Sequence, residues 1–163
     1  MFFGVVAKTY KKRLLAAAAV MLSAVIAGGI LTVFVLSAKK EITIGTTTVS
    51  REIGSVADAA AVMHDLGAEV AESNIIVRSV TIPEEFDDVY SAYNELQKEC
   101  GMDLYPCRGR DALLYCGRVS RETEDEAFVL TLVVCGNRLV GGDISDEKAG
   151  GNMHSLGVLD EYI

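Results

Sequence analysis

The sequence predicts an α+β domain carried behind a single membrane-spanning helix. Three observations predict it. Leu14–Ala38 is an uncharged apolar run. Two later stretches carry apolar residues at helical spacing, around positions 55–67 and 83–101. Several β-prone runs follow or separate them, the last three joined by short polar turns.

The apolar run comes first. "LLAAAAVMLSAVIAGGILTVFVLSA" has 25 residues without a charge. As a helix it reaches roughly 37 Å, enough to cross the hydrocarbon core of a bilayer with some tilt. Lys8, Lys11, Lys12 and Arg13 precede it, whereas Lys39 and Lys40 follow diluted by Glu41. The positive-inside bias then puts the N-terminus in the cytoplasm and the C-terminal domain outside the cell membrane. Cleavage of a signal peptide after "VIA" (Val25–Ala27) is the rival reading. It would leave "GGILTVFVL" as an exposed apolar terminus, so a retained single-pass anchor is favoured. The expected organisation is a cytoplasmic basic tail (1–13), a transmembrane helix (14–38) whose partner is the lipid bilayer, a juxtamembrane linker (39–53) and an extracytoplasmic α+β domain (54–163).

Charge divides the chain at the same place. Up to Lys40 there are six basic residues and no acidic one; beyond it come nine basic and all 23 acidic residues. The net charge of −8 is thus +6 in front and −14 behind. A domain at −14 is repelled by nucleic acid and by anionic lipid, which excludes nucleic acid as a partner. No stretch has the regular oxygen-ligand spacing of a calcium loop.

Within the outer domain, "EITIGTTTVSR" is β-prone and polar and reads as linker or a short edge strand. "SVADAAAVMHDLG" reads as a helix. Ser55 and Asp58 form a capping box, Val56, Ala59, Ala60, Met63 and Leu66 make its stripe, and Gly67 ends it. His64 falls on the solvent side. "NIIVRSVTIP" alternates as a strand. Pro83 then suits the first turn of a second helix, with Glu84, Glu85, Asp87 and Asp88 at its positive end. Its expected apolar stripe is Phe86, Val89, Tyr90, Tyr93, Leu96 and Cys100. Finally "ALLYCGRVS", "AFVLTLVVC" and "RLVGGDIS" form a three-strand antiparallel meander, with a primed turn at Gly136–Asn137. The predicted order is helix, strand, helix, three-strand meander, with both helices packed on one sheet face.

The chemistry-bearing residues are few. Cys100, Cys107, Cys116 and Cys135 allow three disulfide pairings, and none has zinc spacing. Cys100 with Cys107, flanking a helix exit, and Cys116 with Cys135, on neighbouring strands, are the pairs sequence proximity suggests. Buried free thiols are an equal reading. Tyr90 and Tyr93 can line a ligand platform, although their spacing also suits a core with hydroxyls at its rim. "GGD" at Gly141–Asp143 lacks the following helix that a phosphate loop requires. Its glycines fit a bulge or the close passage of another segment, and Asp143 fits bonding to nearby groups.

The phrases "HDLGAEV", "VTIPEEFDDVYSAYNELQKECGMDLYPCRGR" and "LVVCGNRLVGGDIS" with "MHSLG" resemble the domain of unknown function 4830 (DUF4830) family. These are uncharacterised proteins found mainly in Clostridia. The likeness covers about Met63–Gly157. Ala68 and Arg110 stand where the family carries an aromatic residue and often a lysine. The resemblance implies one N-terminal membrane segment before a small domain, and it assigns no activity.

The function expected is therefore a non-catalytic binding or structural module of the cell envelope, with an envelope protein as partner. One alternative is an envelope hydrolase or metal-dependent enzyme using Asp143 and His154. Another is a single-pass regulatory or signalling anchor. No catalytic residue, metal site or cofactor is assigned; Tyr90, Tyr93, Asp143 and His154 are the ligand-binding candidates.

Overall fold

The structure, a computed structural model, describes residues 40–120, 127–147 and 151–162. The predicted basic tail, the predicted span at 14–38 and the acidic turn at 121–126 lie outside them. No helix among the described residues is long and apolar enough to cross a membrane.

Two helices pack on antiparallel sheets. The elements are β1 (Glu41–Ile44), β2 (Thr47–Ser50), α1 (Val56–Asp65), β3 (Ile75–Thr81), α2 (Asp88–Glu99), β4 (Asp111–Ser120), β5 (Ala127–Cys135), β6 (Arg138–Asp146) and β7 (Met153–Ser155). β1 and β2 form a hairpin, and β3-β4-β5-β6-β7 form a five-stranded sheet in that spatial order. The meander thus has a fourth strand, β7, and β3 joins it as the opposite edge.

The segment expected to be a juxtamembrane linker is part of the folded core. Ile42, Ile44, Val49 and Ile53 are buried, alternating with exposed polar residues. The run looks polar only because every second residue faces water. Backbone bonds from Ile53 N to Asn137 O (2.9 Å) and from Leu139 N to Arg51 O (2.8 Å) fasten its end to the β5–β6 turn and to β6. The domain begins at Lys40 rather than at residue 54.

α1 starts as its sequence requires. Ser55 Oγ accepts from Asp58 N at 3.2 Å, and Asp58 Oδ2 accepts from Gly54 N at 2.9 Å. Gly67 ends the helix at φ +92°. Ala59, Val62, Met63 and Leu66 are buried against Tyr115, Val119, Leu130, Leu132 and Ile144 of the sheet, and His64 faces solvent. Gly117 belongs to this face: a Cβ there would lie 2.8 Å from Val70 and 2.9 Å from Met63.

α2 departs from expectation in three ways. It begins at Asp88 instead of Pro83, because the Asp87 carboxylate accepts from Tyr90 N at 2.7 Å and caps it there. Its fully buried residues are the polar Asn94 and Gln97, while Val89 is 76% exposed. And it packs on the opposite sheet face from α1. The register shows this directly. Leu130 pairs with Ile144 and Leu132 with Gly142 on the α1 side; Thr131 pairs with Asp143 and Val133 with Gly141 on the α2 side. β5 is buried on both of its faces, so each face needs its own cover. Both ends of the buried Asn94 amide are bonded: its Oδ1 accepts from Leu104 N at 2.8 Å and its Nδ2 donates to the Asp103 carboxylate Oδ1 at 2.9 Å, holding the loop after the helix.

β5 and β6 meet in a primed turn, with Gly136 at φ +58° and Asn137 at φ +61°. A bulge follows: Val134 pairs with Leu139 but Val133 pairs with Gly141, leaving Val140 extra. Beyond it the two glycines admit neighbours from both faces. A Cβ on Gly142 would lie 2.6 Å from Leu156 and 2.7 Å from the Thr131 carbonyl, whereas one on Gly141 would lie 3.0 Å from the Gln97 amide oxygen. Gly142→Ala should therefore cost about 3 kcal/mol, since a backbone oxygen cannot yield. Gly141→Ala should cost visibly less, because side-chain ends can move. Urea denaturation of both variants checks the ranking; equal losses would contradict it.

Candidate functional site

The site is built where α2 crosses β6. Tyr93 and Gln97 lie one helical turn apart, a rise of about 6 Å. Gly141 and Asp143 lie two residues apart on a strand, a span of about 6.6 Å. The two repeats match, so an antiparallel helix can meet the strand twice. The Tyr93 hydroxyl donates to Asp143 Oδ2 at 2.8 Å, and Gly142 N–H donates to Gln97 Oε1 at 2.7 Å.

α2 covers only the β6–β7 side of its face. The remainder of that face forms a groove of about 620 Å³ between the helix and the edge strand β3. Ile76, Val80, Leu114, Val129 and Val133 supply apolar walls and floor, and Cys116 and Thr131 lie among them. Tyr90, Tyr93 and Asp143 close one side. Arg78 sits on the β3 side with no ion-pair partner among the described residues. Arg118 also lines the groove, but Glu147 holds it through Nε (3.0 Å) and Nη2 (2.7 Å). Over the α2 ridge, Val89, Ala92 and Leu96 line a second, apolar depression that shares Tyr90, Tyr93 and Met153 with the first.

Burial pushes the Asp143 carboxyl up to about 6, against the lowering effect of the Tyr93 hydrogen bond. Burial, and next the Asp143 charge, push the Tyr93 hydroxyl upward, so it stays a proton donor. Burial likewise raises Tyr90.

Of the candidates read from sequence, the structure brings Tyr90, Tyr93 and Asp143 together and leaves His154 apart. His154 pairs with Ile144 across β6–β7, and Asp143 pairs with Ser155. Adjacent residues alternate faces, so the imidazole lies on the α1 side, its ring 5.4 Å from that of Tyr162. Asp143 and His154 form no catalytic pair. Among the described residues Cys116, the one thiol in the groove, has no base beside it, only a 3.9 Å contact from Thr131. Among the described residues no cluster of His, Cys, Asp and Glu could hold a metal ion.

The cysteines are all thiols, and their neighbours differ from those sequence proximity suggests. Cys100 and Cys107 sit in separate apolar clusters, and Cys100 Sγ contacts Ser155 Oγ at 3.4 Å. Cys116 lies opposite Thr131, four residues short of Cys135 along β5. Cys107 instead shares an apolar cluster with Cys135, and burial, with the neighbouring Cys135 thiol next, pushes the Cys107 thiol up to about 11.

Arg78, Thr131 and Gln97 are site residues that sequence reading did not single out. Arg78 carried a signal, being the one charge inside an apolar strand pattern. Gln97 carried one too, standing one turn after Tyr93. No family model, curated protein or solved structure matches the chain.

The raised Asp143 pKa fixes a pH dependence. The folded state binds this proton more tightly than the unfolded chain, whose carboxyl titrates near 3.8. The stabilisation is fully present below pH 3.8 and is lost as pH rises through about 6, amounting to about 3 kcal/mol. Asp143→Asn should keep an acceptor for Tyr93 and remove this slope. Denaturation curves between pH 4 and pH 7 check it; an unchanged slope in the variant would place the titration elsewhere.

Proposed function

We propose that the chain is a single-pass membrane protein whose outer domain is a non-catalytic binding module, with the open groove between α2 and β3 as its binding site. The observation that carries this is the groove itself: about 620 Å³ of concave, mostly apolar sheet face with a few polar groups converging on it. A catalytic reading lacks support, because Asp143 is bonded to a tyrosine and His154 lies on the other face. The DUF4830 resemblance fits a small domain behind a membrane segment and adds no chemistry. Support for the anchor and its orientation is the uncharged run Leu14–Ala38 and the basic residues before it.

Two measurements test this reading. A soluble fragment beginning at Lys40 should bind the apolar anionic dye 1-anilinonaphthalene-8-sulfonate saturably. Ile76→Asp, in the groove, should weaken that binding about tenfold. Val77→Asp, one residue away on the other face, should leave it unchanged. Equal effects would move the site out of the groove. For topology, protease added to intact protoplasts should digest the domain after Glu41. Protection until lysis would reverse the orientation.

A further inference from the structure

Among the described residues, β3 is an edge of the five-stranded sheet with no strand on its outer side. Its inner side pairs with β4 in unbroken register over seven residues. Residues 76–81 make no other backbone hydrogen bond among the described residues. Alternate N–H and C=O groups along it therefore face outward unpaired. Natural edges are commonly blunted by proline, a bulge, shortness or several charges. β3 has no proline and no bulge, leaves Ile76 57% and Val77 41% exposed, and carries one charge, Arg78, at its centre.

Every second residue of this edge, Ile76, Arg78 and Val80, lines the groove. A strand added beside β3 would continue the groove's floor, sending its own alternate side chains onto the same face. The central arginine selects what that strand can be. A second copy pairing antiparallel about the middle of β3 would set Arg78 against Arg78, and two domains at −14 repel each other. A strand with a carboxylate at its centre meets Arg78 favourably. The ends of β3 are flanked by Glu72 on one side and Glu84 and Glu85 on the other, which favours basic residues at the ends of the partner segment.

We infer that β3 takes an extended segment of another polypeptide as an added strand, with an acidic side chain over Arg78 and apolar side chains in the groove. The inference rests on the groove being the binding site and adds the class of its occupant.

The test uses the full chain in phosphatidylcholine nanodiscs and short fluorescent peptides of alternating valine and threonine. Each peptide ends in lysines and has either glutamate or lysine at its centre. The glutamate peptide should bind about fivefold tighter than the lysine peptide. Arg78→Glu should invert that preference, an outcome that a merely structural role for Arg78 would not give. N-methylation of one alternate set of peptide amides should weaken binding about tenfold, and methylation of the other set should not. Binding that needs Ile76 but ignores N-methylation would overturn strand addition and leave the groove reading standing. The same holds if neither peptide binds while the dye still does. Self-association of the chain that Ile76→Asp abolishes would overturn it in favour of a second copy.

Discussion

The fold depends on one crossing, that of α2 over β6. A helix and a strand ordinarily keep about 10 Å apart, with side chains filling the space. Here Gly141 leaves no side chain on the strand face that meets the helix, and the helix comes close enough for Gln97 to accept directly from the amide of the next residue, Gly142. One turn earlier Tyr93 reaches the next groove-facing strand position, Asp143. Two polar bonds along the length of contact fix the helix in rotation and in position along the strand. Apolar packing alone is non-directional and would do neither.

The groove follows from that fixed position. One helix is too narrow to cover five strands, and α2 is held over β6 and β7. The β3–β5 part of the same face is left without a helical cover. On the other face α1, the N-terminal hairpin and the segment from Leu156 onward converge on one apolar cluster. The buried Asp143 carboxyl thus sits at a boundary, bonded to the helix on one side and bordering the open groove on the other.

The sequence made much of this legible. The capping box of α1, the positive-φ turn at Gly136–Asn137 and the three long strands all follow local rules, and local rules are what periodicity and turn chemistry report. Three features were hidden. The hairpin at 41–50 reads as polar because four threonines and a serine dilute its isoleucines. The inner face of α2 mixes Tyr90, Tyr93 and Cys100 with the polar Asn94 and Gln97, so an apolar stripe takes in Val89, which faces water, and misses the two polar residues buried beside the tyrosines. And counting alternate residues from Leu139 puts Asp143 on the α1 face; the extra residue Val140 inverts that count. With the count inverted, Asp143 meets Tyr93 and parts from His154, so a site that looked like an acid–base pair is divided between the two faces of the sheet. A bulge depends on contacts distant in sequence, and no local pattern announces it.

The amide of Gly142 has a use of its own. It is a strand N–H whose acceptor is a side chain on a helix, not the backbone of another strand. Its exchange with solvent deuterium is therefore gated by the helix lifting from the sheet, an event smaller than unfolding of the domain. The neighbouring amides paired within the β5–β6 ladder need the sheet itself to open. The difference in exchange rate between these amides measures, at a single residue, how often the wall of the groove swings away.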